Sequence, residues 1–372
     1  MTYRPVDVDS HVQEKRDCWT SRMSESRWGD RIPHYIEMPD GQEVFLLDGK
    51  STPIGQVLQC HSVMPDRETL PARWDEVPKS VHFARERLKA MDQDGVEIEV
   101  LYPNAAGPSG SHFQGKDADY EAECVRAFND MAVDEWLAVS NRFVPLCLLP
   151  YSSMDRTVAE LRYAVERGHL GPVVFSTPHE RGLPHFNDRY WDPLWASAQD
   201  LNVPINFHGL GGSNKMRWAS MQGTSYRRAR ALSGGGGYGL QAQCFSNLLF
   251  SGVLDRFPRL VFVCAESGLG WVPYVLEACD YAWERSGLRS QGQSKPSELF
   301  KRQIYVDFWY EKAAFHLLDY MGPDRIMWES DFPHPTSLWP NSMKTIEWTL
   351  EGVPEADRRL ILVENGRKVY HR

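Results

Sequence analysis

Eight short apolar runs, alternating with stretches of helical spacing, constrain this chain more than any other feature. The runs cover 4–11, 96–101, 143–149, 172–175, 203–207, 259–264, 303–308 and 325–327. Between them the apolar spacing shifts to that of a helix: 82–94 closed by Gly95, 117–139, 155–167, 193–201, 241–250 and 272–285, with closing helices over 343–370. In 117–139 the residues Cys124, Phe128, Met131, Ala132 and Trp136 make one stripe. Eight strands alternating with helices predict an α/β fold, the (β/α)8 TIM barrel, with its active site at the carboxyl ends of the strands. One such barrel accounts for all of 1–372 as a single domain.

One stretch does not fit the repeat. Residues 22–80 are rich in proline and glycine, and Glu43-Val44-Phe45-Leu46-Leu47 followed by Asp48-Gly49 reads as a hairpin. We expect an insertion after the first strand, folded over the barrel mouth as a lid or binding loop. His61 lies in it, and its simplest reading is a surface histidine that could reach the site. The glycine run 234–239 lacks the Gly-Lys-Ser/Thr ending of a phosphate loop and is expected to give backbone freedom at the mouth.

The polar residues gather where a barrel puts its chemistry. The first strand carries Asp7, Asp9 and His11 at alternate positions, with Glu14 just beyond its end. The fifth runs into His208, the sixth into Glu266, and the eighth into Trp328-Glu329-Ser330-Asp331-Phe332-Pro333-His334. Taken singly, each has a bland reading as a helix cap or a surface group. Four strand ends converging on acids and imidazoles are costly to bury without a cation. The expected metal ligands are therefore Asp9, His11, Glu14, His208, Glu266, Glu329 and Asp331, and the expected catalytic groups are Asp331, Glu266 and His334. A non-catalytic binding barrel whose acids only form ion pairs is the reading this convergence argues against.

A net charge of −9 argues against nucleic acid or an anionic membrane as partner. No run approaches a membrane span, and Met1–Pro5 has no apolar leader core. Seven cysteines without a Cys-x-x-Cys pair point away from a zinc ribbon or a disulfide framework, so a cytoplasmic setting is expected.

At these residues the chain resembles the amidohydrolase superfamily, in its decarboxylase-like branch. Asp9-Ser10-His11 stands for that branch's acid-x-His or His-x-His pair, His208 for its fifth-strand histidine and Asp331 for its eighth-strand aspartate. Glu266 departs from the pattern, since the branch usually has histidine there. The oxygen-rich set that results is similar to the TIM-barrel non-heme diiron monooxygenases, on the Trp328–His334 run, on Trp339-Pro340-Asn341-Ser342 and on Ala265-Glu266-Ser267-Gly268-Leu269-Gly270-Trp271. This likeness implies two iron ions per chain, with zinc or manganese as the alternative. It also implies dioxygen as co-substrate, a separate reductase, a homodimer, and hydroxylation of an apolar small molecule of diterpenoid or acyl-CoA type. The alternative it leaves open is a metal-dependent decarboxylase or hydrolase acting on a carboxylated substrate.

Overall fold

The first strand, β1 (Val6–His11), is buried along its whole length, on both faces. A strand covered on both sides is what a parallel sheet wrapped by helices requires. The computed structural model describes residues 3–67, 69–209, 228, 231 and 239–372; the glycines 234–237 of the expected flexible run lie outside them. After β1 come β2 (His34–Glu37), β3 (Glu43–Leu47) and β4 (Lys50–Pro53), a three-stranded antiparallel sheet. Asp48 and Gly49 both take positive φ, 50° and 79°, which is the twist a two-residue hairpin turn needs. The hairpin expected in the insertion is present, with β2 added at its edge.

The remaining strands are β5 (Ile98–Tyr102), β6 (Phe143–Pro145), β7 (Val173–Val174), β8 (Ile205–His208), β9 (Phe262–Ala265), β10 (Ile304–Phe308) and β11 (Ile326–Trp328). With β1 they form one eight-stranded parallel sheet in the order β6-β5-β1-β11-β10-β9-β8-β7. The two strands at the ends of this order also meet: Cys147 N–H donates to Gly171, Val173 N–H donates to Cys147, both at 2.9 Å, and Cys147 bridges Pro172 in parallel. The sheet therefore closes as an α/β barrel. Among the described residues its longer helices are α1 (Ala84–Asp94), α2 (Ala118–Ala132), α3 (Met154–Arg167), α4 (Asp192–Asp200), α5 (Gly239–Phe250), α6 (Val272–Arg285), α7 (Pro296–Gln303) and α8 (Ser342–Thr349). Their ends follow from side chains: Asp117 caps α2 by accepting from the N–H groups of Asp119 and Tyr120, Ser153 caps α3, and Gly95 closes α1 at φ 81°.

By internal contact the chain forms two compact units, Met1–Val173 with Trp328–Ile346, and Val174–Met327 with Glu347–Arg372. In the first, Asn129 of α2 ties three elements together. Its side chain exchanges hydrogen bonds with the backbone of Leu148 at 2.8 and 3.1 Å and donates to Glu160 of α3 at 2.8 Å. Its carbonyl lies 2.9 Å from Nε2 of His169, a fully buried imidazole.

Burial lowers the His169 pKa from 6.5 to about 4, against the opposing pull of nearby carbonyls. Above 6.5 neither the folded nor the unfolded chain protonates it. Between 6.5 and 4 only the unfolded chain does, so stability is lost as pH falls through that window, by about 3 kcal/mol. We expect the urea midpoint of the wild type to fall more steeply from pH 7 to pH 4.5 than that of His169→Gln. Parallel pH curves for the two proteins would disprove the assignment.

Among the described residues all seven cysteines are free and buried, and no helix is long and apolar enough to cross a membrane.

Candidate metal centre

The first unit brings five of the expected residues to one place. Asp9 and His11 come from the end of β1, and Glu329, Asp331 and His334 from the segment after β11. Strands β1 and β11 pair in parallel at Asp7 and Trp328, and beyond them Asp331 N–H donates to Asp9 at 3.0 Å and His11 N–H donates to Phe332. Pairing two parallel strands at their carboxyl ends is what places residues more than 300 positions apart side by side.

Two imidazoles converge on one carboxylate oxygen. Asp331 Oδ1 lies 3.4 Å from His11 Nε2 and 2.9 Å from His334 Nδ1, and the two rings stack with centroids 3.7 Å apart. Ligand atoms of His11, Asp331 and His334 all lie within 4.8 Å of one another, and all three residues are buried. Asp9 Oδ1 is 3.6 Å from the same His11 nitrogen.

The other ring nitrogens fix the tautomers. His11 Nδ1 is 3.2 Å from the Pro103 carbonyl, which can only accept, so Nδ1 carries the hydrogen. His334 Nε2 is 3.3 Å from Asn104 Oδ1, and Asn104 Nδ2 is committed to the Leu58 carbonyl at 2.9 Å, so here Nε2 is the donor. In the neutral rings, the nitrogen lone pairs therefore face carboxylate oxygens. Two stacked imidazolium rings would repel each other instead. A divalent cation between His11 Nε2 and the carboxylates would use that nitrogen's lone pair, and the carbonyl behind the ring is the usual support for a metal-binding histidine. The donor set fits a metal.

Charge follows the same geometry. Burial drives the Asp331 carboxyl up, but the His334 and His11 imidazoles outweigh it and hold it below the usual carboxylate range. Asp9 goes the other way: burial, then the charge of Asp331, raise it well above that range, opposed by His334 and by a hydrogen bond with Glu329.

Glu14, expected among the ligands, is turned to another task. Its buried carboxylate accepts the backbone N–H groups of Asn104, Ala105 and Ala106 at 3.2, 2.7 and 3.1 Å. It shapes the loop that presents Asn104. Asp7 likewise accepts from the backbone and hydroxyl of Ser330. His61 is buried, not on the surface, and the neighbouring Ser62 binds the Pro333 carbonyl.

The second unit holds His208 and Glu266. His208 ends β8, in register with Ala265 at the end of β9, and Glu266 follows at φ 52°. A Cβ on Gly209 would come within 3.1 Å of Glu266 Oε2, at a position whose φ of 73° already favours glycine. Asp307, which the sequence does not single out, is buried on β10 and accepts the backbone and hydroxyl of Ser267 at 3.1 and 3.0 Å. Its only sequence signal is an acid inside an apolar run. Glu266 and Asp331 (φ 55°) both hold left-handed backbone where a strand breaks off, a conformation that clusters at functional sites.

The amidohydrolase family profile, Amidohydro_2, matches residues 9–372. The chain belongs to the amidohydrolase family. This family member is 28% identical over 275 residues to Decarboxylase orsB of Emericella nidulans, spanning 71% of this chain and 77% of the relative. In fold it is similar to an amidohydrolase from Mycobacterium avium subsp. paratuberculosis (TM-score 0.79, 20% identity, 100% of both chains). It is also similar to a dihydroxybenzoic acid decarboxylase from Polaromonas sp. JS666 solved with manganese and 2-nitroresorcinol (TM-score 0.67, 17% identity, 100% of this chain and 97% of that one). These findings correct the expected activity. The relative is a decarboxylase, so the non-heme diiron monooxygenase reading, with its hydroxylation, its iron and its oxidoreductase chemistry, does not stand. Dioxygen and a separate reductase fall with it.

Proposed function

We propose that this amidohydrolase-family protein is a metal-dependent decarboxylase of a small carboxylated substrate. The observation that carries the reading is the 28% identity to a decarboxylase across most of both chains. Asp9, His11 and Asp331 would hold a divalent ion. A mixed carboxylate and imidazole set suits manganese or zinc. The ion, when bound, supplies positive charge that fixes the substrate's oxygens.

The chain's own residues do the rest. The bond from substrate carbon to carboxylate breaks, its electron pair stays on the carbon, that carbon takes one proton, and carbon dioxide leaves. His334 is the proton donor: Asp331 Oδ1, at 2.9 Å, stabilises its protonated ring, and Asn104 holds the far nitrogen. Burial of the His11, Asp331 and His334 cluster keeps water from competing at the reacting carbon.

Metal-free protein reloaded with Mn²⁺ is expected to release carbon dioxide from one or more members of a panel of hydroxybenzoates and unsaturated dicarboxylates without air. In D2O, one deuterium should appear at the vacated carbon. Turnover of the same panel by water addition or hydrolysis, with no carbon dioxide, would overturn the reading.

A further inference from the structure

The segment Phe332–Trp339, which carries His334, is held from outside by the insertion. Ser62 donates to the Pro333 carbonyl from its backbone at 3.1 Å and from its hydroxyl at 3.0 Å. The half-buried Arg67 guanidinium donates to three further carbonyls: Pro335 at 3.3 Å, Ser337 at 2.8 Å and Trp339 at 3.3 Å. A guanidinium offers five donors in a rigid fork, so one side chain can fix several carbonyls of an irregular loop that has no strand or helix to satisfy them. Two of those carbonyls flank Thr336, and the Thr336 hydroxyl donates to Asp331 Oδ2. With Oδ2 held there, Oδ1 is the oxygen left facing His11 and His334.

We infer that Arg67 is a positioning residue for the metal centre, acting through Thr336: the guanidinium sets the loop, the loop sets the hydroxyl, and the hydroxyl aims the Asp331 carboxylate. The insertion is then part of the site's construction. The metal side of this inference rests on the proposed function above; the clamp itself does not.

The test is a double-mutant cycle read by Mn²⁺ titration of metal-free protein, following free Mn²⁺ by its electron paramagnetic resonance signal. Arg67→Met and Thr336→Val are each expected to weaken Mn²⁺ binding by about 10-fold or more, the usual scale for groups behind a ligand. Because they act along one line, the double variant should be no more than about three-fold weaker than the worse single one. Thr336→Ser, which keeps the hydroxyl, should bind as the wild type does. Losses that multiply in the double variant, or a Thr336→Ser protein as weak as Thr336→Val, would overturn the inference. Hydrogen exchange of the Ser337–Trp339 amides in metal-free protein separates the two claims. It should quicken in Arg67→Met and not in Thr336→Val, whether or not the wild type binds Mn²⁺. Unchanged exchange in Arg67→Met would remove the clamp; a wild type that binds no Mn²⁺ while exchange behaves as expected would remove the metal reading alone.

Discussion

Asp331→Asn is expected to cut metal-dependent release of carbon dioxide by roughly 10³-fold or more, since it removes both a metal donor and the anion that stabilises the His334 proton. The substitution isolates charge. Asparagine has the shape of aspartate and tolerates the left-handed backbone of φ 55° found here, so the strand end need not move. The Thr336 hydroxyl can still donate to the amide oxygen. What is lost is the negative oxygen shared by His11 Nε2 and His334 Nδ1. Metal content per chain should fall in step with activity. A variant that retains metal and a tenth of the wild-type rate would show that Asp331 is only a structural acid.

The second large effect is on stability. Arg87 is fully buried, and its guanidinium donates to Ser80 O at 2.8 Å, to Ser10 Oγ at 2.9 Å, to Glu99 at 3.1 Å and to the His11 carbonyl. Its flat face covers the Phe332 ring at 4.1 Å. Burial raises the Glu99 carboxyl and Arg87 pulls it back down, so the pair is mutually dependent. Arg87→Met leaves Glu99 as a buried acid without its counter-charge and the His11 carbonyl without its donor, at a cost of about 3–5 kcal/mol. Adding Glu99→Gln should recover much of that loss, because removing both charges is less harmful than stranding one. Urea denaturation of the three proteins checks this. A single Arg87→Met variant as stable as the wild type would refute it.

Some of this was legible in the chain and some was not. The barrel was legible because strands alternating with helices leave few other ways to cover apolar faces. Asp9, His11 and Asp331 were legible because acids and imidazoles at apolar strand ends are costly unless something charged meets them. The alternation rule itself was less faithful than it looked. The pairing of β1 with β5 shifts register between Asp7 and Ser10, so one extra residue is accommodated there, and a bulge re-aims the side chains around it. Asp7, drawn by period two onto the face of Asp9 and His11, is spent on Ser330 instead. Glu14 has the same composition signal as a ligand, yet three backbone N–H groups claim it. The monooxygenase reading failed for a related reason: a carboxylate in place of a histidine changes the donor count, and donor count alone does not choose the reaction.

The order of apolar runs by itself determined the eight-stranded α/β architecture, because periodicity is a local property that each segment carries alone. It also determined which strand ends hold acids and imidazoles. Only the tertiary structure decided which of those groups face one another and which are spent on backbone. Asn104, Thr336, Ser62 and Arg67 act through hydrogen bonds to residues more than 200 positions away or to loops with no period, apart from Thr336, which reaches five residues back. Such bonds depend on where the folded loops pass, and a linear pattern of polarity contains no record of that.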